Sequence, residues 1–268
     1  MQTVHVTQSR AILSVTRTLA SLRYSLEDLV GAGDASVEDK GTTGRMTRGR
    51  MSARRISQLI PKAELRCQKA SKALVELVLS YEGRMRVPQS LARERYYTTI
   101  SFNMSSEIFW RAETGFCFIQ DLPRRALGAA TWLLSTAVLG YPGRLSPYEL
   151  DSNQMRAIVA YLTKPGRGGT GELVRAVFGD VKIGQSQLEA ISLKSRELHK
   201  EPYYATIEKG ARQIRSINFI SPLIRETGRS YACRLDARGS ILIYGPRLSN
   251  KAFRALLNFF EEMLSIKT

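Results

Sequence analysis

The stretch Ser230 to Arg247, SYACRLDARGSILIYGPR, followed by Ser249 to Leu264, SNKAFRALLNFFEEML, decides the first reading of the fold. Two short apolar-rich runs, Tyr231 to Leu235 and Ser240 to Tyr244, flank Asp236-Ala237-Arg238-Gly239, where Gly239 supplies the positive φ of a tight turn. This predicts a β-hairpin. Gly245-Pro246 ends its second strand, and Ser249 is placed to cap a helix whose Ala252, Phe253, Leu256, Leu257, Phe260, Met263 and Leu264 recur at helical spacing.

Working outward, a similar order of signals stands upstream. Tyr96-Tyr97-Thr98-Thr99-Ile100 precedes Glu113-Thr114-Gly115 and the helical run Arg124 to Leu139, much as Tyr203-Tyr204-Ala205-Thr206-Ile207 precedes Glu226-Thr227-Gly228 and the C-terminal helix. Either this is an internal repeat, each copy opening on a Tyr-Tyr-X-Thr-Ile strand, or strand-rich sequence has repeated the same residue types by chance. As a layout, the duplicated strand, turn, strand and helix is similar to Whirly and PUR-type single-strand binders.

The remaining segments complete an α+β expectation: two small antiparallel β regions, each a hairpin followed by a helix, with a helical N-terminal region and a helical middle insert. Ile12, Val15, Leu19, Leu22, Leu26 and Leu29 alternate by three and four, an apolar seam for a helix over 1–30 that serves self-association or a protein partner. Arg10, Arg17 and Arg23 before the first acidic residue, Glu27, read equally as a mitochondrial or plastid targeting segment. Residues 31–55 have linker composition, and 56–268 form the globular body. Within it, Pro61 to Glu82, Pro147 to Leu162 and Gln185 to Lys200 are expected as helices, and Glu172 to Phe178 follows a glycine-rich loop as a short one.

Charge gives the strongest functional signal. The 268 residues carry 40 Lys plus Arg against 24 Asp plus Glu, a formal net charge of +16. Arg outnumbers Lys 29 to 11, and guanidinium pairs bidentately with phosphate and stacks on bases. Nucleic acid is therefore the expected partner, ahead of an anionic membrane surface. Arg45, Arg48, Arg50, Arg54 and Arg55 form the densest positive run, and Lys62, Arg66 and Lys69 extend it as a basic ridge.

Aromatic residues crowd among arginines around 93–118, and Tyr97, Trp110 and Tyr204 are the rings assigned to an exposed face where bases stack, with Arg111 beside them. Lys164 and Arg167 sit in the loop Lys164 to Gly171. That loop contains a formal G-x-G-x-x-G, but helical sequence precedes it where a dinucleotide site needs a strand. Arg234 and Arg238 place charge on the C-terminal hairpin.

Other classes find little support. Cys67, Cys117 and Cys233 are far apart and odd in number, so free thiols in a reducing compartment are expected, and the scarcity of histidine argues against zinc. No apolar run reaches the roughly 18 residues of a transmembrane helix. No nucleophile elbow, zinc-protease motif or acidic metal cluster occurs. The expectation is a non-enzymatic, cofactor-free binder of RNA or single-stranded DNA in a ribonucleoprotein; the alternative is a viral nucleoprotein or matrix protein that assembles on genome or membrane. Location follows these readings, in the mitochondrial matrix or a virion.

Overall fold

A computed structural model describes residues 10–18, 35–36, 58–71, 74–91, 94–111, 113–139, 144–164, 171–245 and 248–266. The chain divides into two compact units, Ser14–Pro147 and Tyr148–Thr268 with Met1–Leu13.

The Ser14–Pro147 unit is built on β3 (Glu64–Ala70), β4 (Leu74–Leu91), β5 (Glu94–Arg111) and β6 (Phe116–Gln120). Next to β6 lies the Ser14–Thr18 part of β1 (Arg10–Thr18), while β2 (Ala35–Ser36) borders β3 and β7 (Leu145–Pro147) pairs with β1. Helix α1 (Arg124–Leu139) follows β6. The dominant feature is the β4–β5 ribbon, antiparallel from Leu74 opposite Arg111 to Leu91 opposite Glu94. Its alternation puts Val75, Leu77, Leu79 and Tyr81 on one face with Trp110 and Ile108, all buried.

Helix α1 joins that apolar face through Ala126, Ala129, Ala130, Leu133 and Leu134. Three alanines at this junction let the helix backbone come close to the sheet, and each large apolar side chain buried there contributes about 1.5–3 kcal/mol. Beyond Tyr81 the same face continues along the ribbon as Gly83, Met85, Ile100 and Phe102. A Cβ at Gly83 would stand 2.8 Å from both the Phe102 ring and the Met104 sulfur, so glycine is what lets those side chains cross the strand.

The second unit contains α2 (Ser152–Thr163), β8 (Glu172–Ile183), β9 (Ser186–Lys194), α3 (Pro202–Gly210), β10 (Ala211–Ile220), β11 (Ala232–Asp236), β12 (Ser240–Tyr244) and α4 (Asn250–Leu264). The strands lie in the order β12-β11-β10-β8-β9, antiparallel at each pairing. Asp151 and Gln154 form a reciprocal capping box on α2. The C-terminal hairpin and helix stand where the sequence predicts them: Gly239 has φ 71°, and the Ser249 hydroxyl accepts from the Ala252 amide. Helix α4 packs Phe259 against Phe219 of β10, with ring centroids 6.4 Å apart.

The expected fold class is overturned. Strand dominates both units, each built on an antiparallel sheet, with four α-helices among the described residues, in place of two small β regions with a helical N-terminal region. Arg10–Thr18 is strand, because Ile12, Val15, Thr16 and Thr18 favour extended backbone and the Thr16 hydroxyl donates to the Cys117 carbonyl at 3.2 Å. The rest of the expected 1–30 helix lies outside the described residues. Of the expected linker, Ala35–Ser36 pairs with β3.

Pro61 to Glu82 is a turn, β3 and the core half of β4, not a helix. Leu74, Leu77, Val78 and Tyr81 fit a helical period, but Val75, Leu77, Leu79 and Tyr81 fit a strand period equally, and pairing with β5 decides between them. Gln185 to Lys200 is β9 and a 3-10 turn at Leu198–Lys200, because Gly184, φ 59°, folds the chain back along β8. Glu172 to Phe178 is strand, and the helix expected from Pro147 begins at Ser152. Tyr203 to Ile207 lies in helix α3 behind Pro202, whereas Tyr96 to Ile100 lies in β5, so the two segments do not open equivalent copies. What recurs is a positive-φ glycine in each Glu-Thr-Gly turn, Gly115 at 74° and Gly228 at 61°.

Candidate nucleic-acid interface

On the face of the ribbon opposite the apolar one, Glu82, Arg84 and Arg86 alternate along β4, paired with Asn103, Ser101 and Thr99 of β5. Two residues of spacing keep Arg84 and Arg86 on one face. Arg125, in the first turn of α1, joins them: Arg84, Arg86, Thr99 and Arg125 line a single depression. Among the described residues, no carboxylate lines it.

Glu82 orders this group from the side. Its Oε1 accepts from Arg84 Nε at 2.8 Å and from the Ser101 hydroxyl at 3.1 Å, and its Oε2 pairs with Lys62 Nζ at 3.0 Å. The Arg84 and Lys62 hydrogen bonds hold the Glu82 carboxyl at about 2, well below its ordinary 4.5. Among the described residues, the carboxylate takes Arg84 through Nε, which leaves the terminal nitrogens of that guanidinium to a ligand.

Arg84 and Arg125 also line an adjoining cleft with Pro61, Tyr81, Phe102 and Met104. Burial raises the Tyr81 phenol above its ordinary 10.0, and the nearby Arg125 charge acts in the opposite sense. Met85, Ile100 and Phe102 are 53%, 45% and 43% exposed, and Tyr97 is 65% exposed. Met85, Ile100 and Phe102 thus extend the apolar face and Arg84 and Arg86 the opposite one, and the cleft that Arg84, Arg125 and Phe102 share is where guanidinium can hold phosphate while a ring meets an unpaired base.

The residues assigned from sequence are only partly brought together. Lys62 borders this region through Glu82. Arg66 bonds Glu64 at 3.1 Å and Lys69 stands exposed, both on β3, so the expected ridge is a turn and a strand, not a helix face. Tyr97 is exposed as expected. Trp110 and Tyr204 are corrections: they are 3% and 4% exposed. Trp110 faces α1 in the core, and Tyr204 packs edge-on to Phe178 at 5.7 Å, so neither ring is available for stacking. Arg111 stands at the end of β5. Arg45, Arg48, Arg50, Arg54, Arg55 and Arg167 lie outside the described residues.

In the second unit, Lys164 follows α2, and Arg238 sits in the β11–β12 turn, its amide donating to Asp236 at 2.9 Å. Arg234 belongs to a cross-strand row of Lys194, Arg175, Asn218, Arg234 and Leu242 on one sheet face. This basic row is partly answered by acids, with Arg234 3.8 Å from Asp236 and the neighbouring Arg215 4.0 Å from Asp180.

Arg84, Arg86, Thr99, Phe102 and Arg125 were missed by sequence reasoning. The signal for two of them was present as Arg84-Met85-Arg86, whose spacing of two puts both cations on one face of any strand. Among the described residues, no group of three or more His, Cys, Asp or Glu side chains is placed to hold a metal ion, and no helix is long and apolar enough to cross a membrane. No protein-family model matches the chain, and no curated protein matches it by sequence.

Proposed function

We propose that the chain is a non-enzymatic nucleic-acid-binding protein that takes single-stranded RNA, or single-stranded DNA, on the β4–β5 ribbon as part of a ribonucleoprotein. The observation that carries this reading is the pair of adjoining depressions that share Arg84 and Arg125, one lined by arginines and Thr99, the other containing Phe102. Guanidinium groups neutralise phosphates and release counterions, and an exposed ring beside them offers a surface for an unpaired base. The net charge of +16 supplies long-range attraction to the same polyanion.

Fluorescence anisotropy with single-stranded RNA, its DNA counterpart and duplex RNA at two salt concentrations tests the proposal. Single strands are expected to bind more tightly than duplex. Alanine at Arg84, Arg86 or Arg125 is expected to reduce the slope of log K against log salt by about 1 for each phosphate that is no longer neutralised. Unchanged affinity and slope in all three variants would remove the ribbon from the interface.

A second reading has its own observation. Met85, Ile100 and Phe102 stand exposed beside arginines, the pattern of a surface that seats in an anionic bilayer. Cosedimentation with anionic liposomes in the absence of oligonucleotide binding would select that reading, and light scattering would show whether the chain then self-assembles as a coat protein does.

A further inference from the structure

We infer that the arginine depression selects a phosphomonoester, the terminal phosphate of a nucleic-acid strand, over the phosphodiesters within it. This rests on the reading of the ribbon as a nucleic-acid surface and names the chemical group its cationic depression takes. Arg84 and Arg86 stand two residues apart on one strand, Thr99 faces Arg86 from the other, and Arg125 closes the group from α1. Glu82 pairs the charge of Arg84, and Arg86 and Arg125 line the same depression with it, so the depression keeps a net positive charge that a bound anion offsets in proportion to its own charge.

A diester in mid-strand offers one negative charge and two non-bridging oxygens. A monoester near pH 7 carries about −1.5 to −2 and three strong acceptor oxygens. With Arg84 paired to Glu82, the charges of Arg86 and Arg125 are offset more fully by the monoester than by the diester, and the Thr99 hydroxyl stands beside them. Glu82 sharpens the match as a positioning residue: it fixes Arg84 through Nε and leaves the outer nitrogens for the ligand. The adjoining cleft that shares Arg84 and Arg125 then receives the terminal nucleoside against Phe102.

The chemistry is shared by a strand terminus and a free mononucleotide, so the probes separate them. Anisotropy and calorimetry on the whole chain would compare one short single-stranded RNA with a 5′-phosphate, a 3′-phosphate or hydroxyl ends, together with the nucleoside monophosphate alone. A phosphate-ended strand is expected to bind about tenfold or more tightly than the hydroxyl-ended one, the scale of one added charge-assisted hydrogen bond. The preference should shrink severalfold at about pH 5, below the phosphate's second pKa of about 6, because the monoester then carries the charge of a diester while arginine keeps its own.

Arg86→Ala should abolish the preference and Arg86→Lys should retain only part of it, with melting temperatures unchanged because Arg86 is exposed. Equal affinity for phosphate and hydroxyl ends would overturn the inference and leave nucleic-acid binding standing. Binding of the monophosphate without any strand would keep the phosphomonoester site and overturn strand binding. Absence of binding by every probe would overturn both.

Discussion

Glu82 accepts the Nε of Arg84 at 2.8 Å from two residues away on the same strand, and this short hydrogen bond is what orients the guanidinium of the ribbon's cationic face. With Lys62 on its other oxygen and Ser101 donating across the ribbon, the carboxylate holds three partners. It is an organiser of positive charge, and its ionisation is the measurable sign of that role.

Carbon-detected NMR titration should place the Glu82 carboxyl at about 2, against an ordinary 4.5. Since the folded value is depressed, Glu82 stabilises the folded chain fully above the ordinary value, and the contribution fades as pH falls from there through about 2. Glu82→Gln should lower stability near neutrality and flatten its fall through that acid window, so that the variant and the parent chain converge as pH approaches about 2. A Glu82 value near 4.5 would show that the Arg84 and Lys62 pairings do not persist in solution.

Thiol chemistry distinguishes the three cysteines. Burial pushes Cys117 and Cys233 up to about 12, while Cys67 is exposed on β3. A maleimide near neutral pH should label Cys67 alone in the folded chain and all three cysteines in denaturant. Native labelling of Cys233 would place it elsewhere than the core between β10 and β12.

Gly115 has a conformational requirement that Thr18 tightens. It stands at φ 74°, its carbonyl accepts both the amide of Thr18 at 3.1 Å and its hydroxyl at 3.2 Å, and an added Cβ would collide with that hydroxyl oxygen. Gly115→Ala should cost about 1–2 kcal/mol from backbone conformation alone, with the collision adding to it. Urea denaturation reads this directly. Thr18→Ser, which keeps the hydroxyl, should cost less than Thr18→Val.

The exposed and buried rings should separate cleanly. Trp110→Ala removes a core side chain against α1 and should cost about 3–5 kcal/mol. Tyr97→Ala should stay within about 0.5 kcal/mol on stability while weakening single-strand binding by about 1–3 kcal/mol if its ring carries a base. The reverse pattern in melting temperature and affinity would restore Trp110 as the stacking residue.

How much was legible varies with how local the deciding interaction is. Arg124 to Leu139 was readable as a helix end to end, because Pro123 and the alanine-rich period act within a few residues. The surplus of positive charge was legible as well, from composition alone. The site was less legible: Tyr97 was placed correctly on an exposed face, but Trp110 and Tyr204 were not, since which side of a strand or helix is covered depends on what packs there. Arg125 lies far along the chain from Arg86, with all of β5 and β6 between them, and no spacing rule joins the two.

By itself the sequence determined the C-terminal hairpin and helix, through Gly239 in its turn and Ser249 at its cap, together with helix α1 and the positive charge. These rest on backbone preferences and hydrogen bonds that close within one turn. Tertiary structure decided β1, β3, β4 and β9, whose apolar residues suit a helix and a strand alike until a partner strand pairs with them, an adjacent strand in the chain for β3, β4 and β9 and a distant one for β1. It also decided the arginine depression, because the register of β4 on β5 and the seating of α1 bring together cations that the chain keeps far apart.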